Sequence, residues 1–583
     1  MTSVQTLKRL FPFLTWARPH NTTLLHDLVA GASVSLLAIP QALAYAQLAG
    51  VPTYIGLYAA LIPSIVGVLF GSSAILSTGP VAMTSLLTAA SVGLLAAPGS
   101  DQFVAYVTLL ALISGLIQIA LGLARAGVFL NLLSHPVLMG FINAAALIIA
   151  FSQLPSIMGI SAPQTDHFLI DTWNVISRIY SLHVMSVAFG SASIFLLYAF
   201  RRFAPKLPGV LISIGLATWC SYRFDFSLAG GNVVGAIPAG FPEISLPALS
   251  WKTIVALTPA AFVIALISFM EATSSCKIIA IKTRSRWNEN QELIGQGLAK
   301  VAAAFCQSMP VSGSFSRSAL NLASGARTGF SSLVAAAFVL LTLLYLTPLL
   351  YHLPKPALAA MIIIAVANLV DIAAMRNAWR TSWDDGMASA ITFVATLAFA
   401  PHIENGLLIG ICFSIGAFVY RRMSPRVVVL AQYPDGVLRD VERHGLQSSH
   451  PEISVLRFDA SLFFGNAALF EDTVLKIESK NPHLRFILIV ANGINHIDAT
   501  AVEMLRGLAK RLREIGITLA VSGAKRQILR VMDETGLTEE IGMNNIFRLD
   551  KVALDTLIER LNDTSPCPAT PTDRRIELHA NNH

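Results

Sequence analysis

The succession of apolar runs constrains this chain more than any other feature. A helix needs roughly 20 mostly apolar residues to cross a hydrocarbon core of about 30 Å, and runs of that kind follow one another here almost without pause. They fall near residues 27–48, 54–70, 80–95, 103–123, 131–154, 183–203 and 207–222, then 254–281, 291–308, 314–324, 330–351, 357–370, 387–400 and 406–420. With 54% hydrophobic and 13% charged residues among 583, and a mean hydropathy of +0.63, the composition excludes a soluble globular protein. The expected fold is a polytopic α-helical membrane protein of fourteen transmembrane segments in two sets of seven.

Seven spans per set is an odd number, so the second set enters from the opposite side and the repeat is inverted. The third member of each set is short and is introduced by helix-breaking residues, Ser77-Thr78-Gly79-Pro80 in the first and Ser312-Gly313-Ser314 in the second. Short, Gly/Pro-interrupted segments at matching places in two halves point to a transporter binding site built from half-helices. Positive charge gives the orientation. With the N-terminus inside, the inner loops carry Arg125, Arg201, Arg202, Lys206, Lys282, Arg284, Arg286, Arg327, Arg376, Arg380, Arg421 and Arg422, whereas the outer loops hold Arg178, Arg223, Lys252 and Lys355. Both ends are therefore expected in the cytoplasm of a bacterial inner (plasma) membrane.

Residues 310–321 read Pro-Val-Ser-Gly-Ser-Phe-Ser-Arg-Ser-Ala-Leu-Asn. A cation and broken helix at membrane depth are tolerated only where they are buried in protein or line a watery cavity. A helix starting near Ser314 would bring free N–H groups, hydroxyls and Arg317 to one spot, which suits an anion. A polar loop containing Ser-Arg-Ser is the plainer alternative.

The remaining organisation follows from composition. Residues 1–25 form a basic arm, 26–422 the transport domain with repeats over 26–223 and 251–422, 425–562 a cytoplasmic α/β domain, and 563–583 a polar disordered tail. In the α/β domain, 427–440 reads as two strands about Pro434-Asp435-Gly436, with further strands at 453–459, 484–490 and 517–521 and helices at 499–513 and 525–534. Cys220, Cys276, Cys306, Cys412 and Cys567 are scattered and read as packing residues, with no metal site and no cofactor. The net charge of +7 is explained by orientation rather than nucleic acid. No phosphate-binding Gly-x-x-x-x-Gly-Lys-Ser/Thr loop is present, so ATP does not drive this chain directly.

Several ordered motifs resemble the SulP sulfate permease family. They are Ile39-Pro-Gln-Ala-Leu-Ala-Tyr-Ala-Gln-Leu-Ala-Gly-Val-Pro52, Tyr54-Ile-Gly-Leu-Tyr58, Phe70-Gly-Ser-Ser73 and Thr78-Gly-Pro80 in the first half. The second half adds Glu271, Asn290-Gln-Glu-Leu-Ile-Gly-Gln-Gly297, Gly313-Ser-Phe-Ser-Arg-Ser-Ala-Leu-Asn321 and Gly325-Ala-Arg-Thr328, and the tail is similar to a STAS domain. The resemblance implies a core and a gate that shift against one another, an anion held between the facing starts of the third and tenth spans, and a homodimer. Sulfate is the leading substrate; bicarbonate and a C4-dicarboxylate are the alternatives on the same fold. A sensor that binds an anion without moving it is the reading from another class.

The expected substrate residues are Thr78, Gly79, Pro80, Ser314, Phe315, Ser316 and Arg317, with Gln41 and Tyr45 four apart on one face of the first span. Two helix starts would each place about half a positive charge beside the anion, and Arg317 offers a planar fork matched to two oxygens. Arg317 held by a carboxylate is the structural alternative. Glu271 follows the apolar run 260–270 and matches the place where the family binds a coupling cation, H+ or Na+. Thr273, Ser274 and Ser275 could add oxygens if the ion is sodium, while pairing with Arg317 is the plainer role of Glu271. In the STAS region Asp498-Ala499-Thr500-Ala501 has Ala where switch proteins of this kind carry the phosphorylated Ser, and Thr500 is expected as a helix cap. A cytoplasmic partner of this domain is left open.

Overall fold

The computed structural model describes residues 11–15, 21–127, 134–160, 168–204, 207–433, 436–447 and 449–562. The expected arm over 1–25 falls largely outside the described residues, as do the start of the fifth span at 131–133, Pro434 and Asp435 of the expected turn, and the tail 563–583 with Cys567. The chain forms two compact units, Met1–Ile415 and Gly416–His583.

The first unit is helical. The first set of spans is α1 (Asn21–Ala49), α2 (Tyr54–Phe70), α3 (Ala82–Gly93), α4 (Asp101–Leu123), α5 (His135–Ser152), α6 (Val184–Phe203) and α7 (Gly209–Arg223). The second set is α8 (Trp251–Thr283), α9 (Glu289–Phe305), α10 (Phe315–Ala323), α11 (Phe330–Leu341), α12 (Lys355–Ala367), α13 (Trp383–Ala398) and α14 (Ile403–Met423). Helix α11 runs through a π-turn at Thr342–Leu346 into Thr347–Leu350. Eight of the described helices are long and apolar enough to cross a membrane by themselves, and α2 and α3 are shorter apolar helices. The sequence missed an amphipathic helix at Ile372–Thr381, because it lacks a continuous apolar run.

Helices α1 to α4 pack with α8 to α11, and α5 to α7 pack with α12 and α13, so each bundle draws on both repeats; α14 lies against α13, where Gly406 and Gly410 meet Thr396 and Thr392. Small residues bring backbones together within the first bundle, as expected where lipid supplies no hydrophobic drive between helices. A Cβ on Gly297 of α9 would lie 2.8 Å from the Gly115 carbonyl oxygen of α4, and one on Gly295 would lie 2.5 Å from Gly71 Cα.

Before α3 and α10 the chain is extended. β1 (Thr78–Gly79) pairs antiparallel with β2 (Ser312–Gly313), with Thr78 opposite Gly313 and Gly79 opposite Ser312. Each strand feeds directly into its helix, so antiparallel pairing points the two helix starts at each other.

The second unit is a six-stranded sheet, in order β4 (Leu438–Asp440), β3 (Val427–Gln432), β5 (Ile453–Phe458), β6 (Phe486–Val490), β7 (Thr518–Ser522), β8 (Ile546–Phe547). β3 runs antiparallel to both neighbours, and β5 through β8 are parallel. α15 (Ala467–Lys480), α16 (Ala499–Glu514) and α17 (Arg526–Glu534) cover one face, where Leu505, Leu508 and Leu512 of α16 join Leu456 and Ile489 of the strands. α18 (Asp550–Asn562) covers the other through Ala553, Leu554 and Leu557. The expected cap at Thr500 is corrected. Asp498 caps α16 by accepting from Ala501 N at 2.9 Å and holds Phe464 N at 2.9 Å, while Thr500 is exposed. A carboxylate reaches the free N–H groups one residue before the helix, which a hydroxyl already inside the first turn does not.

Gly297→Leu is expected to cost more than about 3 kcal/mol through overpacking against α4, and to lower the melting temperature and monodisperse yield of the detergent-solubilised protein on size-exclusion chromatography.

Candidate functional site

The starts of α3 and α10 face one end of a cavity of about 690 Å³. Its wall there consists of Val81, Ala82 and Met83 from α3, Ser314, Phe315 and Ser316 from α10, Gln41 and Tyr45 from α1, and Glu271 and Ser274 from α8. At the other end lie His135 of α5, Arg201 of α6 and Asn368 beyond α12, where the Arg201 guanidinium donates to the Asn368 side-chain oxygen. The cavity thus runs between the two bundles.

The α10 start follows the expectation. Ser314 is its N-cap: the hydroxyl accepts from Arg317 N at 3.4 Å, and the Ser314 N–H is spent on the Ser77 carbonyl at 2.8 Å. The N–H groups of Phe315 and Ser316 belong to the unpaired first turn. Phe315 is 55% exposed, with its ring on the cavity wall.

The α3 start differs from the expectation. Thr78, Gly79 and Pro80 do not line the cavity; together with Ser64, Ser77, Arg317 and Ser332 they surround a separate void of about 20 Å³, room for one water. The cavity wall begins one residue later, at Val81. The reason lies in Thr78, whose side chain turns toward α2 and α9. Its hydroxyl accepts from Gln296 Nε2 at 2.9 Å and would sit 2.8 Å from a Cβ at Gly67. Its carbonyl accepts from the Ser64 hydroxyl at 2.7 Å.

Arg317 is also placed differently from a fork held open to the substrate. It is 2% exposed. Nη1 donates to the Pro80 carbonyl at 2.8 Å and to Gln41 Oε1 at 3.4 Å, and Nη2 has no hydrogen-bond partner among the described residues. The guanidinium therefore ties the start of α10 to the turn before α3, and it borders the small void rather than the cavity. No carboxylate pairs with it among the described residues.

Glu271 lies on the cavity wall with Oε2 unpartnered among the described residues. Both Arg317 and Lys300 lie within Coulombic reach of it. Thr273 is half-buried on α8, its hydroxyl buried and unpartnered among the described residues, and Ser275 turns back to the Glu271 carbonyl at 2.9 Å, so Ser274 is the hydroxyl that shares the wall with Glu271.

The sequence reading gave no role to several buried polar residues. Glu292 on α9 accepts from Ser72 N at 2.8 Å, Ser73 N at 3.1 Å and the Ser72 hydroxyl at 3.1 Å, and its other oxygen accepts from Gln296 at 3.0 Å. A path of hydrogen bonds thus leads from the turn after α2, through Glu292 and Gln296, to Thr78. Asp27 of α1 does similar work at the far end of α10, accepting from Arg327 N at 2.7 Å, Thr328 N at 3.1 Å and the Thr328 hydroxyl at 2.5 Å. Lys300 is wholly buried, with Nζ 2.7 Å from both Gln118 Oε1 and the Ser268 hydroxyl. The signal for Lys300 and Glu292 was available, since any charge within a span marks a candidate site.

Opposed helix starts, a buried cation and a cavity between two bundles that each draw on both repeats define a membrane transporter of anions. A family model described as the sulfate permease family matches residues 24–392, and a STAS domain model matches 446–551. The chain belongs to the sulfate permease family, whose members are transporters and not enzymes. It is 30% identical over 572 residues to the chloroplastic sulfate transporter 4.1 of Arabidopsis thaliana, covering 94% of this chain and 82% of that one. It is 31% identical over 524 residues to a probable sulfate transporter of Mycobacterium tuberculosis, covering 89% and 93%. In fold it matches murine Solute Carrier 26 family member A9, an anion transporter in the inward-facing state, with TM-score 0.89 at 21% identity over 96% of this chain and 95% of that one.

Glu292→Ala leaves the buried Ser73 N–H and the partly buried Ser72 N–H without their acceptor. It is expected to cost at least about 3 kcal/mol and to weaken anion binding as well, read by thermal unfolding in detergent with and without added anion.

Proposed function

We propose that this protein carries sulfate across a bacterial inner membrane as a secondary active symporter, with H+ or Na+ as the coupling ion near Glu271. The observation that carries the reading is the pairing of Thr78–Gly79 with Ser312–Gly313, which aims two helix starts at one cavity, with the buried Arg317 bonded to the turn before α3. Two half-charges and free N–H groups replace the water that a tetrahedral oxyanion sheds. Arg317 adds a full charge without leaving its bond to Pro80.

In this reading the substrate residues are Ser314, Phe315 and Ser316 with Gln41 and Tyr45, joined by the N–H groups after Val81, while Thr78, Gly79 and Pro80 shape the turn that presents them. Glu271 and Ser274 form the cation side, with Thr273 and Ser275 behind them. The cavity end at His135, Arg201 and Asn368 lies on the side that positive charge assigns to the cytoplasm, as do both termini. The bundle of α1 to α4 and α8 to α11 holds both sites and would move as one body against the other bundle, exposing them to each side in turn. A homodimer and a cytoplasmic partner for the STAS domain belong to the same proposal.

Reconstituted in proteoliposomes, the protein is expected to accumulate labelled sulfate against its gradient when an inward cation gradient is imposed. Arg317→Ala should reduce uptake at least tenfold, and uptake indifferent to that change would remove the site. Excess bicarbonate or succinate should compete weakly; stronger competition from either than from unlabelled sulfate reassigns the substrate within the same fold.

A further inference from the structure

The wholly buried Lys300 has no place in anion binding, since it does not line the cavity. Its surroundings explain it better than packing does. Nζ lies 2.7 Å from Gln118 Oε1 on α4 and 2.7 Å from the Ser268 hydroxyl on α8. Gln118 cannot turn its amide round, because Nε2 is committed to the Ala265 carbonyl at 2.9 Å and to the Ser268 hydroxyl at 3.0 Å. Ser268 in turn donates to the Ala265 carbonyl at 3.2 Å. A side-chain amide oxygen and a hydroxyl therefore converge on one positive charge, and both are oriented by other bonds. Glu271, one turn further along α8, lies within Coulombic reach. An amide oxygen, a hydroxyl and a nearby carboxylate are the donors that a hard monovalent or divalent cation takes.

From this we infer that Lys300 is a tethered cation that occupies the place a sodium ion would take beside Glu271, so that transport by this chain does not use sodium. The inference rests on the proposal that Glu271 is on the coupling-cation side of the transporter, and narrows the two ions allowed there to one. A bound sodium would need both the space and the oxygens that the ammonium already holds, and it would have to enter next to a fixed positive charge in a low-dielectric interior, where like charges repel strongly. The same residue connects to the anion side. Ser268, which holds Lys300 by its hydroxyl, accepts from Ser312 Oγ at 2.9 Å through its carbonyl, and Ser312 is the strand residue opposite Gly79.

The test is sulfate uptake by the full chain in proteoliposomes, with external sodium replaced by N-methyl-D-glucamine at constant ionic strength and membrane potential. Uptake by the unmodified protein is expected to agree within twofold in the two media; a fall of fivefold or more without sodium overturns the inference. Lys300→Ala opens a space lined by the same oxygens, and its uptake is expected to rise at least fivefold when sodium is restored. Lys300→Met fills that space without a charge and should show no sodium response. Equal uptake by Lys300→Ala with and without sodium overturns the inference as well.

Melting temperatures of the purified proteins supply a readout independent of transport: sodium should stabilise Lys300→Ala relative to N-methyl-D-glucamine and leave the unmodified protein unchanged, and sodium stabilisation of the unmodified protein counts against the inference. If the unmodified protein moves no anion in either medium, the transporter reading fails, and the melting series still decides whether Lys300 excludes sodium. If Lys300→Ala does not fold, the two measurements on the unmodified protein decide.

Discussion

Inside a bilayer an unpaired backbone N–H or C=O has no water to turn to, and each costs several kcal/mol, on the order of a lost hydrogen bond in an apolar solvent. A chain that breaks two of its spans at mid-depth must therefore give the freed groups partners. Here each break is the partner of the other: Thr78–Gly79 and Ser312–Gly313 form a two-residue antiparallel ladder, the Ser314 N–H closes on Ser77, and Arg317 takes the carbonyl of Pro80. Satisfying these groups within the break leaves the first N–H groups of α3 and α10 as the ones still free. The anion site is the remainder of that accounting.

The rest of the first bundle supports this arrangement. Close approach at Gly115, Gly295 and Gly297 lets α9 lie against α2 and α4, and from there Glu292, Gln296 and Lys300 reach the turn after α2, Thr78 and Ser268. Charge is distributed with the same economy. Two cations, Arg317 and Lys300, and three carboxylates, Asp27, Glu271 and Glu292, lie within the bundle, yet none forms a direct ion pair among the described residues. Glu292 and Lys300 keep their charges solvated by backbone N–H groups, amides and hydroxyls. Arg317 and Glu271 each keep one polar atom unspent, which suits groups that respond to a ligand that comes and goes.

Much of this was legible in the linear chain. Helix ends were read to within a few residues wherever an apolar run met polar punctuation, as at Tyr54–Phe70 and Phe330. The short spans and their Ser/Gly/Pro preludes marked α3 and α10, and Arg317 stood out as a charge at membrane depth. Less legible was which way a side chain turns. Thr78 and Ser316 look equivalent as hydroxyls at broken spans, but Gln296 and the gap at Gly67 draw Thr78 away from the cavity, whereas the Ser316 hydroxyl meets only that of Ser314, at 3.4 Å, among the described residues. Lys300 carried a signal of its own, but its partners Gln118 and Ser268 lie 182 and 32 residues away in sequence.

Periodicity, span length and the placing of Gly, Pro and Arg are local properties, and they alone determined that this chain is a fourteen-span inverted repeat with two interrupted spans and an α/β tail. They are sufficient because hydrocarbon imposes its demand on each segment separately. Which groups meet was decided only by the packing of α9 against α2, α4 and α8 and of α10 against α1. Lys300 among oxygens, Glu292 on the turn after α2 and Arg317 on the Pro80 carbonyl are pairings between distant segments, and a contact that joins two segments is written in neither of them.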